Sequence, residues 1–126
     1  KLTKRFGEIK LARSGLIILT VALVSIPLAA ATGIFPVMVG TAVLLAMGSG
    51  TFNPSNSSLI SKSSAANEQG SVLGLNQSLA SLGRVLGPAA AGVIFQMHPT
   101  WPFYVAALLT GVAALFARRL TPARSA

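Results

Sequence analysis

No charged residue stands between Arg13 and Lys62, and none stands between Arg84 and Arg118. Runs of that length exclude an ordinary soluble domain, in which about a quarter of the residues are charged. Only 10% are charged here, against 52% hydrophobic, and the mean hydropathy is +0.71. Apart from Arg84, the basic residues gather in 1–13, at Lys62 and in 118–124, and the two acids are Glu8 and Glu68. A net charge of +8 suits nucleic acid when it forms a basic patch interleaved with aromatic or polar readers. Gathered between apolar runs, it fits membrane spans joined by basic loops. The expected partner is therefore a lipid bilayer, with no nucleic acid.

A span needs about 20 mostly apolar residues, with a working range of about 17–25. Four stretches qualify, at 14–31, 35–58, 67–96 and 101–117, and we read the chain as a single partial membrane domain, all-α and polytopic. The alternating pattern of a membrane β-barrel is missing from the sequence. Thr32-Gly33 reads as a turn, and Pro36 suits the first turn of the second helix. The segments 1–13, 59–66 and 118–126 carry Lys and Arg, whereas 32–35 and 97–100 carry none. The positive-inside bias then places both termini and the middle loop in the cytoplasm. Trp101 and Tyr104 fit an interfacial aromatic belt on the outer side. His98 reads as an exposed loop histidine, with pH sensing as the alternative.

The first and fourth stretches are apolar all round, which suits lipid-facing positions. The second and third carry Gly, Ser, Asn, Gln and Arg, which suits a protein-packed or water-lined setting. In the third, GLNQSLASLGRVLGPAAAGVIF, Gly83, Gly87 and Ala91 recur every four residues and offer a close-packing face. Pro88 removes a hydrogen-bond donor and predicts a bend. Arg84 lies about 18 Å below a membrane surface placed at Val72, too deep in a core of about 30 Å for easy snorkelling. Gln77 and Ser81 share its face, and no acid of this chain reaches that depth. Its partner is then a backbone carbonyl, water, a substrate, or an acid elsewhere in the protein. In the second stretch, Gly48, Gly50 and Asn53-Pro54 predict a softened or kinked helix. Ser49, Thr51 and Asn53 are candidates for a cavity wall, and Asn56 to Ser58 read as its polar cytoplasmic mouth.

These residues resemble the major facilitator superfamily, specifically drug:proton antiporters of the tetracycline and multidrug type. Leu2, Arg5 and Gly7 in LTKRFGEIKL look like a degenerate G-x-L-x-D-R-x-G-R loop motif, with Lys4 where the motif has Asp. NEQGSVLGLNQSLASLGRVLGP is similar to the loop before the eleventh helix and the start of that helix. GPAAAG resembles the G-P-x-x-G-G antiporter motif, with Ala91 replacing a Gly and Gly92 retained. The resemblance implies helices nine to twelve of a C-terminal six-helix bundle in a bacterial cytoplasmic membrane. It further implies outer first and fourth helices, a second helix lining the cavity, and a third at the interface between halves. Efflux of drugs or other small molecules by alternating access would follow, with Gly83, Gly87, Pro88, Ala91 and Gly92 gating. The remaining helices, a small-molecule substrate and protons would be its partners, and any proton-coupling acid would lie outside this chain.

The chain opens on Lys1, and we read it as a segment of a longer protein. No cofactor or metal is expected, because the chain has no cysteine, one histidine and two loop acids. The absence of a nucleophile–base pair or phosphate loop argues against an enzyme. Two rivals stand beside the transporter. A small four-helix homodimeric exporter fits in length, but such exporters carry an acid in the first span, and 14–31 has none. A non-transporting membrane scaffold would bind anionic lipid through its basic loops.

Overall fold

The computed structural model describes residues 7–119 and consists of four helices. They are α1 (Glu8–Thr32), α2 (Phe35–Ser63), α3 (Gln69–Met97) and α4 (Trp101–Ala117). Among the described residues there is no strand. At about 1.5 Å per residue, the first three exceed the hydrocarbon thickness of about 30 Å, while α4, with 17 residues, sits at the short end of the spanning range. The apolar lengths make this an integral membrane protein.

The connections follow from local chemistry. Gly33 ends α1 in the left-handed region at φ 65°, where a glycine carries no Cβ penalty. Its N–H donates to the Ala30 carbonyl at 3.2 Å. The Thr32 hydroxyl accepts from the Ile34 N–H at 3.2 Å. Pro36 then stands in the first turn of α2 and Pro102 in the first turn of α4, positions where a missing N–H costs no helical bond.

Lipid tails are as apolar as leucine, so helices in a membrane associate through close packing rather than hydrophobic burial. The α1–α2 hairpin shows how. Gly15, Ala22 and Ala29 are buried on α1, and Thr41, Gly48 and Ser55 on α2. Each set recurs every seven residues, the period that keeps a seam in register between two helices. A Cβ on Gly15 would lie 2.8 Å from the Phe52 backbone nitrogen, and one on Gly48 would lie 2.9 Å from that of Leu19. Neither site has room for a side chain. The polar seam residues are satisfied within α2: the Ser55 hydroxyl donates to the Thr51 carbonyl at 2.8 Å, and Thr41 donates to Met38 at 2.8 Å.

On another side of α1 lies α4. The Thr20 and Thr110 hydroxyls are 3.2 Å apart, and each also reaches a carbonyl of its own helix, Leu16 at 2.8 Å and Ala106 at 3.0 Å. Arg13 donates from Nε to the Ala117 carbonyl at 2.6 Å and from Nη2 to the Arg118 carbonyl at 2.8 Å. It thereby caps the C-terminal end of α4 with a positive charge, as the helix dipole favours.

Within this chain α1 packs between α2 and α4 and holds most of the buried residues described. It still exposes Ile17, Val21 and Leu28 along one side. Uniform apolarity does not distinguish a face made for lipid from one made for a neighbouring helix. Gly48 does not soften α2 but closes its seam with α1, and the helix runs unbroken through Asn53-Pro54. Finally, no backbone approaches Gly83 or Gly87, whose surroundings within 4 Å are open.

Candidate functional site

α3 stands apart from the packed trio. None of its residues is buried, and it touches α2 and α4 only lightly. Yet it is the helix with the most costly polar content for a membrane. Arg84 sits near its midpoint, about 22 Å from its N-terminal end and about 20 Å from its C-terminal end at 1.5 Å per residue. Gln77 and Ser81 precede Arg84 by seven and three residues, and Pro88, Ala91 and Phe95 follow at four, seven and eleven. All six therefore share one stripe of the helix. Among the described residues, Gln77, Ser81 and Arg84 have no side-chain hydrogen-bond or ion-pair partner. Pro88 also lacks the N–H that would bond the Arg84 carbonyl, so a helical acceptor is released beside the guanidinium-bearing residue.

The C-terminal half of that stripe faces an open cleft. Pro88, Ala91, Gly92 and Phe95 form one wall, and Leu23 of α1 and Phe103 of α4 stand opposite, around about 480 Å³ of apolar space. Three of the five expected gating residues, Pro88, Ala91 and Gly92, thus line one cleft. Gly83 and Gly87 lie outside it.

The candidates on α2 divide in two. Ser49 and Asn53 are one helical turn apart on a face turned away from the buried seam at Gly48 and Ser55, while Thr51 lies on the flank of that seam. The Ser49 hydroxyl donates back to Leu45 at 2.9 Å, and Thr51 donates to Met47 at 2.7 Å. Asn53 is exposed, and its amide has no partner among the described residues. Of the three, Asn53 alone keeps its full side-chain hydrogen-bonding capacity for an outside group.

A polar cluster that the sequence reading missed joins the helix ends. The Glu8 carboxylate accepts from the Ser58 hydroxyl at 2.6 Å and pairs with the Lys62 ammonium at 2.8 Å. Opposite charges at the start of one helix and the end of the next were a usable signal, once the two were taken as an antiparallel hairpin. Gly7 precedes α1 with φ 77°, and Leu2 and Arg5 of the loop motif lie outside the described residues. At the far end of the chain's helices, His98 Nδ1 and the Thr100 hydroxyl are 2.8 Å apart, a local loop contact.

Comparison with known proteins gives the family. The sequence profile of the Major Facilitator Superfamily matches residues 1–126. The chain is 34% identical over 119 residues to Multidrug resistance protein 1 of Bacillus subtilis (strain 168), a match covering 93% of this chain and 30% of that protein. It is 43% identical over 42 residues to Multidrug resistance protein 2 of the same organism, covering 33% of this chain and 10% of that protein. The chain thus spans less than a third of the length of these curated relatives. No solved structure matches it.

Proposed function

Because the chain belongs to the major facilitator superfamily, we propose that it forms helices nine to twelve of a secondary transporter that exports drugs or related small molecules. Two helical halves would rock about a midplane site, exposing it to each side in turn. The observation that carries this reading is α3, a spanning-length helix with no buried residue and with an unpartnered arginine, glutamine and serine on one stripe. Such a helix is costly against lipid and fits a position between two halves, facing protein and water. The similarity to multidrug resistance proteins supports drug efflux as the direction of transport.

In this scheme Ser49, Thr51 and Asn53 contribute to the cavity wall on α2, with Asn53 offering its free amide. Gly83, Gly87, Pro88, Ala91 and Gly92 give α3 a surface with little side-chain relief, on which the other half can slide. Lys10, Arg13, Lys62, Arg118 and Arg119 lie toward one end of the helices, and the positive-inside bias makes that end cytoplasmic. The membrane would be the bacterial cytoplasmic membrane. Any proton-coupling carboxylate would come from the other helices.

Efflux of a panel of drugs from cells expressing the complete gene product tests this. Arg84→Leu is expected to abolish resistance and efflux while membrane expression holds. Unchanged efflux in that variant would remove Arg84 from the transport machinery, whereas no efflux from the unmodified protein would count against the transporter reading and favour a scaffold.

A further inference from the structure

Arg84 and the apolar cleft share one stripe of α3. Pro88, at the cleft's edge, is one turn from Arg84, about 6 Å along the axis. Helical side chains lean toward the N-terminus, so the guanidinium reaches back toward Ser81 and Gln77. The stripe therefore runs from a cationic, donor-rich patch to an open apolar cleft of about 480 Å³. The chain's own carboxylates do not reach the patch: Glu8 is held by Ser58 and Lys62, and Glu68 lies sixteen residues before Arg84, about 24 Å along the helix.

We propose that this stripe binds a lipophilic anion, with its apolar body in the cleft and its anionic group on Arg84. The proposal rests on the transporter reading and narrows it to a substrate class. An isolated positive charge in a low-dielectric setting repels cationic ligands and favours an anion that brings its own apolar mass. Ser81 and Gln77 supply further donors to that anion. From Ser81 to Pro88 is about 10 Å, so the fitting shape is a flat or aliphatic body joined by a short linker to a carboxylate or sulfonate. Phe95 and Phe103 offer ring faces and edges to such a body. A carboxylate from another helix on Arg84, and a helix filling the cleft, are the outcomes that the titration separates from a bound anion.

The test uses the complete gene product in detergent, titrated with 1-pyrenebutyrate and with its trimethylammonium counterpart on the same linker. The anion is expected to bind at least about tenfold more tightly than the cation, the scale of one charge-assisted hydrogen bond. Arg84→Gln should erase that preference, and Arg84→Lys should keep part of it. Ala106→Phe, which fills the cleft from α4, should weaken the anion about tenfold. Equal or reversed preference in the unmodified protein overturns the proposal and points to an internal acid on Arg84. An unaffected Ala106→Phe protein also overturns it, because another helix then fills the cleft. If Ala106→Phe does not fold, the two Arg84 variants decide. Flux of both probes into proteoliposomes separates this from the parent reading. Anion binding without flux of either probe retires transport and keeps the site; flux of cationic drugs without anion preference does the reverse.

Discussion

The α1–α2 hairpin and α3 are built from the same kinds of residue and end in opposite states. Both contain glycines, serines and a proline inside a long helix. In the hairpin, Gly15 and Gly48 each lie so near the facing backbone that a methyl group has no room, and Ser55 is 1% exposed. On α3, Gly83, Gly87 and Gly92 have nothing near them, and Val85 is 70% exposed. Small residues make close approach possible, but they do not bring it about. Where facing residues repeat in step on both helices, the seam shuts; where they repeat on one helix alone, a flat surface is left for something else.

Substitution at matched positions is the sharpest way to break this contrast. Gly48→Leu should cost at least about 1–3 kcal/mol, the usual penalty of overpacking a closed contact, read as a large fall in thermal stability in detergent. Gly83→Leu, which meets no backbone within this chain, should lower that stability less; if both variants fall equally, the contrast is wrong. A smaller effect is expected where α1 meets α4. Arg13→Gln removes charged donors from the Ala117 and Arg118 carbonyls, so the last turn of α4 should exchange amide hydrogens faster while the α1–α2 seam stays protected. Uniform loss of protection in both seams would mean that Arg13 supports the whole trio. The smallest change belongs to the clasp at the helix ends. The Lys62 side chain is 69% exposed and that of Glu8 12%, and an ion pair open to water on one side contributes little and weakens with salt. Glu8→Gln should lower the unfolding temperature by a degree or two at most, a difference that high salt removes.

How much could be read in advance follows the same division. Charge spacing located the helices, because a membrane leaves few options for an uncharged run. Thr32-Gly33 and Pro36 marked the turn between α1 and α2, since each has a local backbone reason to be there. The seam was not legible. Gly15 stands in a run in which every residue is apolar or small, and only its pairing with Phe52, 37 positions away, separates it from a lipid-facing glycine. The four-residue recurrence at Gly83, Gly87 and Ala91 was the more visible pattern, and within this chain it meets no partner. Arg84 was legible as an anomaly from its depth alone. Its relation to the cleft needed α1 and α4 in place, because Leu23 and Phe103 come from opposite ends of the sequence.

The hydroxyl pair Thr20–Thr110 has a consequence for the order of assembly. It ties the last helix to the first and passes over α3. During synthesis, α1 and α2 can enter the bilayer as one unit, because only Gly33 and Ile34 separate them. α4 can then dock on α1, with α3 held as a tethered loop between two settled anchors. A helix installed in that way contributes little to the packing of the other three, so changes on its exposed face leave that trio intact.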